Sequence, residues 1–159
     1  VNTQKIRPCL WFDGDAEEAV RFYTGVFPAS SIDSVRRAKT DYPGGKAGAV
    51  LVIEFTLFDR HYLAMNGGQH HRFNDAISFS VDCEDQSEVD RYWEALTSGG
   101  GAPVQCGWLK DKYGLSWQVV PRRLPELLSD PLRGARVMRA MMQMVKIDIA
   151  ALEAAAGEA

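Results

Sequence analysis

Apolar residues recur along the chain with two periods, and the switches between them divide it into elements. From Asp15 the spacing is helical: Ala19, Val20, Tyr23, Val26 and Phe27 share one face of a helix over roughly 16–27, which Pro28 stops. Asp15 and Glu18, three apart at its start, make an acidic version of the capping box. A second helix opens at Asp85 with Glu88 and carries Val89, Tyr92, Trp93 and Leu96. Gly99, Gly100 and Gly101 end it by permitting a left-handed C-cap. A short apolar run of strand type precedes each helix, at 6–12 and 76–82. Strand-like runs follow at 34–39, 49–58 and 61–65 after the first helix, and at 104–110 and 115–120 after the second. A turn at Lys112, Tyr113 and Gly114 joins the last two.

The halves repeat. A shift of 70 residues lays Asp15 on Asp85, Glu18 on Glu88, Arg21 on Arg91, the Phe22-Tyr23 pair on Tyr92-Trp93, and Val26 on Leu96. Shared caps alone would say little, but a shared arginine, aromatic pair and preceding strand argue for a duplicated β-α-β-β unit. The expected organisation is one domain over 1–121, with module one at about 1–70 and module two at about 71–121, then a helical extension over 122–159. Module two is one strand short on this reading, with a bend or bulge expected within 103–111. In the extension, 124–128 predicts a short helix. Asp130 is placed to cap a helix from Pro131 carrying Val137, Met138, Met141, Met142 and Val145. A last helix from Asp148 has Ile147 and Leu152 spaced as a hydrophobic staple.

Composition narrows the class. A chain of 159 residues, 46% hydrophobic and 25% charged, has the size and apolar content of an ordinary single domain. A net charge of −3 with both signs interspersed argues against nucleic acid as partner. The stretch 121–146 departs from that balance, with six basic side chains against two acidic. An amphipathic tail packed on the body or on another subunit accounts for it, and an anionic partner is the alternative. Three cysteines, Cys9, Cys83 and Cys106, cannot all pair and form no C-x-x-C, which suits reduced thiols in a cytoplasmic protein. Residues 1–8 are followed by no apolar signal core, and no run approaches the ~18 apolar residues of a membrane span.

Several multi-residue motifs carry a family resemblance. They are Pro8-Cys9-Leu10-Trp11-Phe12-Asp13-Gly14, Ala16-Glu17-Glu18-Ala19 with Phe22-Tyr23, Leu63-Ala64-Met65-Asn66-Gly67-Gly68, Ile77-Ser78-Phe79, Glu84-Asp85-Gln86, Cys106-Gly107-Trp108-Leu109-Lys110-Asp111 and Gly114-Leu115-Ser116-Trp117-Gln118-Val119-Val120-Pro121. Together they resemble the PhnB-like proteins, whose domain is labelled 3-demethylubiquinone-9 3-methyltransferase. These sit in the vicinal oxygen chelate group with glyoxalase I, bleomycin-resistance proteins and extradiol dioxygenases. The resemblance implies an α+β fold of two βαβββ modules forming an open, U-shaped mixed sheet, usually completed in a homodimer. It also implies a ligand site on the concave face.

Metalloenzymes of that group place His, Gln or Glu on the first and last strands of each module. Carried onto this chain, the first-strand positions are Pro8 and Ser78, seven residues before Asp15 and Asp85, and the last-strand positions are Gln118 and the region of Asn66. Pro8 has no side-chain donor, Ser78 is a poor ligand, and Gln118 and Asn66 are weak ones, so no metal and no cofactor is expected. His70 and His71 sit in a polar loop and His61 reads as an exposed strand residue. Methyl transfer from S-adenosylmethionine is not supported, because no Gly-rich turn leads from a strand into a helix. Gly99, Gly100 and Gly101 run the other way, from helix to strand.

What remains is a pocket for an unidentified small molecule. Trp11, Tyr62, Trp108 and Trp117 are candidate walls, and Asn66, Ser78 and Gln118 candidate hydrogen-bonding groups. Cys106, between Gln105 and Gly107, is a further lining candidate with no histidine near in sequence to activate it. Glu54 is a carboxylate in an otherwise apolar strand, a candidate general base if it faces the pocket and ordinary surface if it does not. The two functional readings are a metal-free small-molecule-binding protein and an enzyme acting by acid–base chemistry through Glu54 or the Asn66 and Gln118 cluster.

Overall fold

Each half of the chain folds into a four-stranded mixed sheet with one helix between its first and second strands. The structure, a computed structural model, describes residues 4–157, so the start of the 1–8 segment and the end of the 122–159 extension lie outside the described residues. The first half comprises β1 (Cys9–Phe12), α1 (Ala16–Val26), β2 (Ser31–Arg37), β3 (Val50–Leu57) and β4 (Arg60–Asn66). The second comprises β5 (Ser78–Cys83), α2 (Gln86–Thr97), β6 (Ala102–Pro103), β7 (Trp108–Lys110) and β8 (Ser116–Pro121). Then come α3 (Leu124–Ser129), α4 (Gly134–Met141) and α5 (Ile149–Ala156). The strand orders, β1-β4-β3-β2 and β5-β8-β7-β6, are the same topology written twice. In each, the first strand pairs parallel with the last and the remaining pairs are antiparallel. The chain divides between Phe73 and Asn74, and the three terminal helices belong with the second unit.

In the first unit, Leu10 and Phe12 on β1, Ile53, Phe55 and Leu57 on β3, and Ala64 on β4 are buried on one face of the sheet. Ala16, Ala19, Val20 and Tyr23 of α1 supply the other side of that core. The Asp15–Glu18 capping box expected from sequence does not form. Asp15 has φ −101° and ψ 16°, outside the extended conformation of a good cap, and its side chain makes no capping bond. Asn66 does the work from a distance: its Oδ1 accepts from Gly14 N (3.1 Å) and Ala16 N (3.0 Å), and its Nδ2 donates to Val50 O (3.0 Å). One buried amide thus ties the end of β4 to the start of α1 and to β3. The next residue, Gly67, has no room for a Cβ because the Trp11 indole fills that space, and Trp11 Nε1 donates to Gly68 O at 2.7 Å.

The second unit keeps the sequence-level capping box. Asp85 accepts from Glu88 N at 2.9 Å while Glu88 Oε2 accepts from Glu84 N at 2.9 Å. The strand that seemed missing is β6, only two residues long. The run 104–110 breaks at Cys106 (φ 59°) and Gly107 (φ 81°), a left-handed pair that turns the chain before β7. The connection between α4 and α5 covers this turn: Cys106 N and Gly107 N donate to Met144 O and Val145 O, both at 2.8 Å. Leu124, Leu127, Val137, Ile147, Leu152 and Ala156 form the core of the terminal helices, with Val120 of β8 packed on it. Asp130 accepts from Leu132 N and Arg133 N in a turn, so α4 starts at Gly134 and not at Pro131. Asp148 caps α5 through Ala151 N (3.0 Å), with Ile147 and Leu152 both buried as the staple requires. No helix of the described residues is long and apolar enough to cross a membrane.

Replacing Asn66 by alanine strands two main-chain N–H groups at the start of α1. A loss of about 1–3 kcal/mol is expected from leaving buried donors unpaired, read as a lower midpoint in chemical denaturation with an unchanged slope.

Candidate functional site

Strand alternation gives each sheet a second face, opposite its helix, and this is where polar side chains collect. On the first sheet the residues alternating with the buried set are Cys9 and Trp11 on β1, His61, Leu63 and Met65 on β4, and Val52, Glu54 and Thr56 on β3, with Ser34 and Arg36 of β2 in register beside them. Glu54 therefore lies on the face away from α1. Its carboxylate is held between two guanidiniums, Arg36 at 3.0 Å and Arg7 at 3.4 Å, with one-third of the side chain exposed. Both of its oxygens are thus engaged in ion pairs. Cys9, in the same cross-strand row through Leu63, has its thiol pushed up by partial burial, against the opposing pull of Arg7.

On the second sheet Phe79, Leu109, Trp117 and Val119 point to the helix side, and Trp117 is not a pocket wall. It is 2% exposed and its Nε1 donates to the buried Asp111 carboxylate at 2.9 Å. The opposite face carries Ser78 and Ser80 of β5, Ser116 and Gln118 of β8, and Trp108 and Lys110 of β7. Ser80, Gln118 and Trp108 stand in one cross-strand row. Gln118 Nε2 donates to Ser78 Oγ at 2.9 Å. Ser116 Oγ donates to Asp75 at 3.0 Å and Lys110 pairs with the same carboxylate at 3.0 Å, so Lys110 and then Ser116 hold the Asp75 carboxyl below its ordinary range. The half-buried Trp108 ring thus borders an amide and a row of hydroxyls.

Three candidate residues from the sequence lie elsewhere. Tyr62 stacks on Phe55 on the α1 side of the first sheet, with ring centroids 5.4 Å apart, and burial raises its hydroxyl pKa. Asn66 spends both lone pairs and its amide on main-chain partners. Cys106 is in the turn under the connection between α4 and α5. Burial, seconded by Glu88 and Asp82, pushes Cys83 up to about 12, and all three cysteines are free. Among the described residues no three His, Cys, Asp or Glu side chains converge as a metal-binding group.

Residues that sequence reasoning passed over complete the first sheet's polar face. Thr56 Oγ1 donates to Asp33 Oδ2 at 2.7 Å and lies 2.9 Å from His61 Nδ1. Asp33 reaches this face because β2 is bulged between Ile32 and Ser34, a feature that re-aims a side chain and leaves no signature in composition.

Comparison with known proteins agrees with this geometry. A family profile described as 3-demethylubiquinone-9 3-methyltransferase matches residues 4–120. The PhnB protein of Bacillus cereus is 36% identical over 74% of this chain and 99% of its own, with a TM-score of 0.67. The fosfomycin resistance proteins FosX of Mesorhizobium loti and Listeria monocytogenes share the fold at 17% and 13% identity. They have TM-scores of 0.56 and 0.54, covering 82% and 79% of this chain and 100% and 98% of theirs. No curated protein matches the sequence.

Proposed function

Because the chain belongs to the 3-demethylubiquinone-9 3-methyltransferase (PhnB-like) family and has the glyoxalase/bleomycin-resistance fold, we propose that it is a metal-independent small-molecule-binding protein. The observation that carries this is the Trp108–Gln118–Ser78 arrangement on the open face of the second sheet. The indole offers a flat apolar surface, while Gln118 and the serines offer neutral donors and acceptors. A flat, uncharged polar molecule such as a quinone or substituted aromatic ring matches that combination. Trp11 and Glu54 line the corresponding face of the first sheet, with Glu54 acting as a counter-ion to Arg7 and Arg36.

The superfamily metal does not fit these residues. Ser78 and Gln118 are bonded to one another, Asn66 has no lone pair left, and Pro8 offers only its main-chain oxygen, which accepts from Leu63 N at 2.9 Å. A divalent cation would gain two neutral oxygens at most. Methyl transfer lacks support as well. The glycine pair after β4 leads into no helix.

Thermal-shift assays against quinones, aromatic acids, S-adenosylmethionine and divalent metals test this reading. At a hundredfold excess over Kd, a quinone-like ligand stabilises by about 2.7 kcal/mol, a rise of roughly 5–10 °C, and Trp108→Ala and Gln118→Ala abolish it. Stabilisation by metals alone contradicts the proposal. We further propose a homodimer, supported by the exposed edge strand β2 with its outward Val35. Light scattering at micromolar concentration should give about twice the 17.7 kDa chain mass, and a monomer mass rejects it.

A further inference from the structure

His61 is the most heavily supported side chain on the first sheet's open face. Gln4 clamps its main chain from both sides: Gln4 Oε1 accepts from His61 N at 3.0 Å and Gln4 Nε2 donates to His61 O at 3.2 Å. The ring is held through Nδ1 by Thr56, and Thr56 by Asp33, which also accepts from Ser31 Oγ at 2.6 Å. A threonine hydroxyl has one proton, and an ionised carboxylate only accepts. Thr56 gives that proton to Asp33, so in the bond between Thr56 and His61 the proton sits on Nδ1. The neutral ring then carries its lone pair on Nε2, which no described residue engages. Asp33 Oδ2 lies 3.8 Å from Nδ1, on the side of the ring away from Nε2.

Arg7 shares the open face of the first sheet with this histidine. β1 and β4 pair in parallel with Cys9 opposite Leu63, and the bond from Leu63 N to Pro8 O carries the pairing past the end of β1. There the backbone pairing stops, because His61 N and O are both taken by the Gln4 amide. Arg7 reaches the open face, since it pairs with Glu54 there. A base whose lone pair is free and a guanidinium on the same face are the two groups that removal of a proton from carbon requires. One takes the proton and the other meets the negative charge left behind.

We infer that Asp33, Thr56 and His61 form the proton-accepting centre of a second, metal-independent site on the first sheet, acting on a small carbon acid such as a carbonyl compound with an ionisable α C–H. His61 Nε2 takes the proton, the C–H electron pair forms the enolate, and the oxyanion is met by Arg7. Returning the proton to carbon completes the cycle with no co-reactant. Thr56 and Asp33 are positioning residues that act through His61. This goes beyond ligand binding on the second sheet and does not rest on it.

The test uses the full chain with 5-nitrobenzisoxazole, a flat carbon acid. Loss of its C3 proton to a base forms the nitrile as the N–O bond opens to the coloured phenolate. The expected rate per site exceeds that of free imidazole at least tenfold. His61→Gln removes it, and His70→Gln leaves it unchanged. Thr56→Val and Asp33→Asn lower kcat about tenfold or more while KM stays within twofold. Nitrogen-15 NMR of histidine-labelled protein places the neutral-ring proton of His61 on Nδ1. A rate no greater than that of imidazole, a rate that survives His61→Gln, or a proton found on Nε2 would each overturn the assignment.

Discussion

Ile53, Phe55 and Leu57 point from β3 toward Ala19, Val20 and Tyr23 of α1, and this contact fixes what the rest of the first unit can be. A strand has only two faces. Once the apolar set is spent on the helix, Val52, Glu54 and Thr56 must stand on the other side, together with whatever β1 and β4 present there. The second unit obeys the same rule with Val81, Val119 and Leu109 set toward the layer of Val89, Tyr92 and Leu96. One helix lies against one face of each sheet, so both units carry a second face with room for polar side chains, and in the second unit the terminal helices pack on the end of it at Val120.

The duplication, both helices, the polar face of β8 and the staple at Ile147 and Leu152 were legible because they are local and periodic. The spacing of Trp117, Gln118 and Val119 alone puts the amide and its neighbours on opposite sides. Other features depend on partners distant in the chain. Nothing around Asp15 says that Asn66, some fifty residues later, takes over its capping role. On β4, Leu63 and Met65 are apolar and so are Tyr62 and Ala64, so alternation is visible but its phase is not. Tyr62 therefore read as a pocket wall when it lies half-buried against Phe55 on the helix side, while His61 read as surface. The bulge at Asp33 was invisible for a similar reason, since it is a register shift between β2 and β3.

Family and fold locate the faces worth examining, and the side chains on them decide the chemistry. At the positions the family resemblance implies for metal ligands, this chain has a serine and a glutamine bonded to each other, an asparagine consumed by a helix start, and a proline. These are neutral groups with short reach. Charge on the first sheet is arranged as pairs, Glu54 with two arginines and Asp33 with Thr56 and His61. Such a surface matches the hydrogen-bonding and stacking ligand proposed for the second sheet.

The central claim is that this scaffold operates without the metal of its superfamily, and elemental analysis tests it most directly. Protein purified without chelator should carry far less than one equivalent of any divalent ion per chain, with none retained after mild dialysis. One equivalent of zinc, manganese, iron or nickel, removed only by strong chelation, would contradict the account.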